Sequence, residues 1–128
     1  MNFEVHKGWF KFFSNNKTLL NTIMEQIKED DYLSTNENIF RTFKYFNPKK
    51  CKLCILGQDP YPGFSKENNE IKYYAEGLSF SINPKIKKLP GSLRNIFKEL
   101  KENYPDFEYN NGSLINWVEN EKIMLLNT

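Results

Sequence analysis

Arginine is scarce: only Arg41 and Arg94 among 18 basic residues carry a guanidinium. Arginine is the usual reader of base edges. A lysine-dominated chain with net charge +2 therefore suits sequence-independent phosphate contact better. Histidine occurs once, at His6, and alanine once, at Ala75. No apolar run approaches the roughly 20 residues that a membrane span needs, and the charged start, Met1 to Phe13, lacks the apolar block of a secretory leader. The expected setting is intracellular, cytoplasmic or nuclear, with no membrane partner.

Cysteine is limited to Cys51 and Cys54. Their C-x-x-C spacing invites a metal or redox reading, but zinc asks for about four ligands and only His6 could add to the pair. On a strand, residues three apart face opposite sides, so the two sulfurs diverge. Two reduced core thiols are the expectation, with no metal and no cofactor.

Aromatics are abundant: 11 Phe, 7 Tyr and 2 Trp. Large rings carry much buried area each, so a packed core is expected despite a mean hydropathy of -0.68. The length of 128 residues suits one domain or part of one.

Periodicity orders the chain. Leu20, Ile23, Met24 and Ile27 share a helical face over Asn16–Ile27, capped by Asn15 or Asn16. Ser34 and Glu37 have capping-box spacing ahead of Ile39, Phe40, Phe43 and Phe46, which predicts a second helix ending at Asn47-Pro48. Cys51–Leu56 reads as a buried strand, followed by a long polar loop from Gln58 to about Glu76 and a short segment, Gly77–Ile82. Pro90 and Gly91 precede Ser92, a candidate cap for a helix carrying Leu93, Ile96, Phe97 and Leu100. A weaker helix over Ser113–Asn120 leads to a second buried strand, Ile123–Leu126. Apolar strands separated by helices predict an α/β fold with a parallel sheet. Two such strands leave bonding edges open, so the sheet is expected to be incomplete.

In parallel α/β sheets, ligands gather beyond the carboxyl ends of the strands. The first strand delivers Gln58, Asp59 and Tyr61 there, and the second delivers Asn127. Together they offer an acid, an aromatic wall and a two-sided amide, while spacing alone names no substrate. Asp59 by itself reads more readily as a turn residue before Pro60.

At Gly57-Gln58-Asp59-Pro60-Tyr61 the sequence resembles the family 1 uracil-DNA glycosylases, and three further segments resemble theirs in the same order: Gly77-Leu78-Ser79-Phe80-Ser81, Leu89-Pro90-Gly91-Ser92-Leu93 and Leu125-Leu126-Asn127-Thr128. The resemblance implies an enzyme hydrolysing the N-glycosidic bond of uracil in DNA, in base excision repair. Asp59 would orient the attacking water and stabilise the growing positive charge on the sugar. Asn127 would match uracil's N3 donor and O4 acceptor and reject cytosine, which reverses them. Tyr61 would exclude thymine's methyl group, Phe80 would stack on the extruded base, Gln58 would contact the flipped nucleotide or nearby backbone, and Ser92 would bind DNA phosphate.

The sequence also departs from the family pattern. The loop between Tyr61 and Gly77 is longer than usual, Pro62 stands where His is common, and Gly91 stands where a second Pro is common. The family's His-Pro-Ser segment and DNA-inserting leucine have no counterpart in the 128 residues. Residues 1–128 are therefore expected to be the N-terminal portion of one domain, monomeric if complete and inactive at this length. The alternative is a non-catalytic glycosylase-like protein that binds DNA or a replication partner as a processivity factor. An unrelated α/β small-molecule binder is the third reading.

Overall fold

A computed structural model describes residues 3–27 and 36–128. Among the described residues four strands are formed: β1 (Leu53–Gly57), β2 (Phe64–Glu67), β3 (Glu70–Tyr73) and β4 (Ile123–Asn127). The helices are α1 (Phe10–Asn15), α2 (Lys17–Ile27), α3 (Gly91–Asn103) and α4 (Ile115–Glu119). β1 and β4 pair in parallel, from Leu53 opposite Ile123 to Gly57 opposite Asn127. Parallel neighbours need a long crossover, and the intervening chain supplies α3 and α4 within it. The parallel α/β expectation is met.

The core lies between β4 and the segments packed on it. Leu93, Leu114, Val118 and Leu125 are at most 1% exposed, and each such burial is worth about 1.5–3 kcal/mol. Leu93 and Phe97 turn inward from α3, and Phe97 stacks on Tyr109 at 4.2 Å. Around Phe13 a second aromatic group forms: Phe43 meets its edge at 5.2 Å and 88°, and Trp9 meets Phe43 at 4.9 Å and 87°. Edge-to-face contact brings the positive rim of one ring to the negative face of the next.

Five local expectations need correction. The buried first strand is not buried: Leu53 is 52% and Leu56 59% exposed. Burial of a parallel strand requires a covering layer on both faces. Among the described residues β1 pairs with β4 alone, and it borders an open apolar groove of about 690 Å³ lined by Leu53, Ile55, Ile96, Leu100, Phe107 and Ile123. For the same reason the thiols are not both in the core. Both are free, Cys51 is half-buried with its Sγ 3.3 Å from Leu53 O, and Cys54 is exposed.

The helix expected through Ile39–Phe46 is instead two single 3-10 turns, Asn36–Asn38 and Arg41–Phe43. Phe40, Phe43 and Phe46 recur every three residues, which is the 3-10 period. The capping residue Ser34 lies outside the described residues. The polar loop after Gln58 contains a hairpin, with β2 and β3 antiparallel. Asn68 and Asn69 at its tip have φ of 50° and 61°, the left-handed pair that a two-residue turn demands and that Asn tolerates. The helix at Ser92 begins earlier: Pro90 is the N-cap of α3 and makes no side-chain cap bond. No described helix is long and apolar enough to cross a membrane.

Candidate active site

The register sets the site. Pairing Gly57 with Asn127 brings the carboxyl ends of β1 and β4 level. The Thr128 N–H donates to Gly57 O at 3.0 Å, and Thr128 Oγ1 donates to Gln58 O at 2.8 Å, tying the two strand exits together. Gly57 is needed because the Asn127 amide lies over it. A Cβ at position 57 would overlap Asn127 Oδ1 and sit 2.9 Å from Ser79 Cβ. That Oδ1 is buried and has no hydrogen-bond partner. An unpaired buried acceptor costs about 1–3 kcal/mol, so it is a candidate for a ligand's donor.

Beyond β1, Gln58 Nε2 donates to Asp59 Oδ2 at 2.8 Å, and both residues are exposed. This bond orients the carboxylate while leaving it open to water. The Tyr61 hydroxyl donates to Phe80 O at 3.0 Å, joining the loop after β1 to the loop that carries Phe80. Burial pushes the Tyr61 phenol above its ordinary value.

Phe80 is half-buried with φ of 62°, a conformation costly for a bulky side chain. Its neighbours hold it there. Ser79 is fully buried: its N–H donates to Leu125 O at 3.3 Å and its Oγ to Ile55 O at 3.2 Å, so one residue grips both strands. On the other side, Ser81 Oγ donates to Glu76 Oε1 and accepts from the Leu114 N–H at 2.7 Å. Gly77, at φ 81°, passes so close to Asn38 O that a Cβ would overlap it.

Glu76 is the hub of this support. It is 7% exposed, and its carboxylate accepts from Ser81, Ser113 and Arg41. Arg41 Nη1 also reaches Glu76 O at 2.8 Å, and Arg41 Nε donates to Tyr45 Oη at 2.7 Å. Sequence reasoning missed Glu76, Arg41, Ser79, Ser81 and Ser113. The available signal was an acid inside Ala75-Glu76-Gly77-Leu78 and serines alternating around Phe80.

Gln58, Asp59, Tyr61, Phe80 and Asn127 thus lie at one end of the β1–β4 pair. Ser92 stands apart from them, exposed in the first turn of α3 and not its cap. A groove lined by Tyr61, Pro62, Pro90 and Gly91 connects that turn to the site. Among the described residues no cluster of three or more His, Cys, Asp or Glu could hold a metal.

No protein-family model matches the chain. A uracil-DNA glycosylase of Lachnoclostridium phytofermentans is 37% identical over 125 residues, 98% of this chain and 49% of that protein. The Bacillus mycoides uracil-DNA glycosylase is 39% identical over 112 residues, 88% of this chain and 45% of that protein. The crystal structure of mimivirus uracil-DNA glycosylase superposes with a TM-score of 0.79 at 29% identity, covering 96% of this chain and 46% of that one. A variant of the mimivirus enzyme in complex with UGI matches equally well, with a TM-score of 0.79 at 28% identity over 97% of this chain and 47% of that one. The chain spans about half the length of the curated relatives it matches. In sequence and in fold, the chain matches the uracil-DNA glycosylases over about half of their length.

Proposed function

We propose that residues 1–128 form the uracil-recognising and water-orienting portion of a single uracil-DNA glycosylase domain, acting on uracil-containing DNA in base excision repair. The observation that carries this reading is the buried, unpartnered Asn127 Oδ1 at the strand end that also presents Asp59. Uracil's N3–H would donate to that oxygen, and its O4 would accept from the same amide. Phe80 would stack on the base, and Tyr61, held by its bond to Phe80 O, would occupy the space of a 5-methyl group. Asp59, steadied by Gln58, would orient the water that adds to C1′ as the bond to N1 breaks and its electron pair leaves on uracil. Its negative charge would also stabilise the cationic sugar. Ser92, with its hydroxyl not used as a cap, would meet DNA phosphate.

A second reading, a non-catalytic DNA-binding or processivity protein with a replication partner, draws on one observation. His6, the sole histidine, sits at the N-terminal turn, where its Nδ1 accepts from the Gly8 N–H at 3.0 Å. Loss of a donor to a developing anion commonly costs about 10²–10³ in rate, so the 128 residues alone are expected to release little uracil.

The test joins residues 1–128 to the second half of the Lachnoclostridium phytofermentans relative and follows base release from oligonucleotides. Release of uracil but not cytosine or thymine is expected. Asn127→Asp should then narrow the uracil-to-cytosine ratio by about tenfold or more, because a carboxylate accepts from cytosine's amino group. A folded chimaera that releases no uracil would overturn the enzymatic reading in favour of the binding one.

A further inference from the structure

Phe80 sits between two clamps of different kinds. On one side, Ser79 is tied to Leu125 O and Ile55 O, so that clamp belongs to the sheet itself. On the other side, the Ser81 N–H only closes a local turn onto Leu78 O at 3.2 Å. The longer reach of Ser81 runs through its Oγ, which donates to Glu76 Oε1 and accepts from the Leu114 N–H. The left-handed φ of 62° is unfavourable for a bulky residue, so Phe80 keeps it only while both clamps hold.

The second clamp needs a carboxylate. Glu76 Oε1 accepts from the hydroxyls of Ser81 and Ser113, while Oε2 accepts from Arg41 Nη1 at 3.2 Å. All three partners are donors, and only an ionised carboxylate offers acceptors on both oxygens. An amide would turn its NH2 group toward Arg41 or toward the serines. The first sets donor against donor, and the second leaves two hydroxyl protons without their acceptor. Glu76 is buried, so water does not make up the loss. Arg41 is fixed in turn, since Nη1 also donates to Glu76 O at 2.8 Å and Nε to Tyr45 Oη at 2.7 Å.

We propose that Glu76, acting through Ser81, is the positioning residue that holds Phe80 in the conformation able to stack on the extruded base. The proposal rests on the uracil-site reading above and extends it to a residue outside the four resembling segments. Glu76 makes its bonds to Arg41, Ser81 and Ser113 and none to Asp59, Tyr61 or Asn127, so its effect falls on base stacking alone.

The experiment is fluorescence anisotropy of the 128-residue chain with two labelled single-stranded oligonucleotides. They are identical except that one carries uracil where the other has an abasic residue, so the ratio of their affinities reports the base. Glu76→Gln should lower that ratio about fivefold or more, the scale of one base–aromatic stack, with affinity for the abasic oligonucleotide unchanged. Phe80→Ala should lower it likewise. Glu76→Gln added to Phe80→Ala should lower it no further, because residues that act through one another do not add. Ser113→Ala removes one donor to Oε1; it should move the ratio the same way by less, and it serves if Glu76→Gln does not fold. An unchanged ratio in the folded variant, or an equal effect with and without the Phe80 ring, overturns the proposal.

A backbone measurement separates this claim from the uracil site. A positive φ brings the amide proton close to its own Hα, which NMR reads as a strong cross-peak. Phe80 should show that cross-peak in the unaltered chain and lose it in Glu76→Gln. Equal binding of both oligonucleotides by the unaltered chain removes the uracil site, while loss of the cross-peak still supports the hold of Glu76 on Phe80. A cross-peak retained in Glu76→Gln overturns that hold, whatever the oligonucleotides do.

Discussion

Tyr61 shows most plainly how single groups shape the site. It anchors the Phe80 loop through one hydrogen bond, and burial raises its phenol above the ordinary value of 10.0. Below about pH 10 the phenol is neutral whether the chain is folded or unfolded, so it adds no pH dependence. Above that value the unfolded chain ionises first, and stability falls as pH rises toward the folded value. Tyr61→Phe should cost about 1 kcal/mol at neutral pH and flatten the alkaline loss, as read by urea unfolding at pH 7 and pH 10.5. An alkaline limb as steep as that of the unaltered chain would assign it elsewhere. Asp59, Tyr61, Phe80 and Asn127 could be proposed beforehand because each stands in a local run of sequence. Glu76 could not: its partners Arg41, Ser81 and Ser113 come from three segments, and no spacing rule joins them.

Strands and amphipathic helices announce themselves by period, and β4, α2 and α3 were readable within a residue or two. The elements that escaped are those whose signal is short or shared. Phe40, Phe43 and Phe46 fit helical spacing loosely and 3-10 spacing better, and the turns at Asn36–Asn38 and Arg41–Phe43 follow the latter. The hairpin hides in a polar stretch because its strands are four residues each, and its turn uses Asn-Asn rather than the commoner Asn-Gly. Asn69, at φ 61°, is the sensitive point. Asn69→Ala should destabilise the hairpin by about 1–2 kcal/mol, the cost of a left-handed alanine, while Asn69→Gly is tolerated. Amide hydrogen exchange on Phe64–Tyr73 measures this. Equal protection in both variants would mean that the turn does not set the hairpin.

At the scale of the molecule, the parallel pair was legible and its exposure was not, because apolar sequence reports a tendency to be covered rather than what covers it. Leu53, Leu56 and the groove beside β1 present apolar surface along an open strand. Such an edge invites pairing between copies. Leu56→Lys, which places a charge on the exposed face of β1, should shift concentrated samples toward monomer in sedimentation velocity. Unchanged self-association, or none in the parent, would show that this edge is not adhesive.

In the proposed function, the Asn127 amide at the β1–β4 end reads uracil. The most direct measurement follows the Asn127 side-chain amide in a nitrogen–proton NMR correlation spectrum, assigned by its loss in Asn127→Asp. Single-stranded oligonucleotides that differ only in carrying uracil, cytosine or thymine at one position are added in turn. A shift of that resonance with uracil, exceeding those with cytosine and thymine, is the expected result, since uracil alone combines an N3 donor for the unpartnered Oδ1, an O4 acceptor for the amide N–H and no 5-methyl group facing Tyr61. An amide that stays in place with all three, or moves equally with all three, would contradict the assignment of this site.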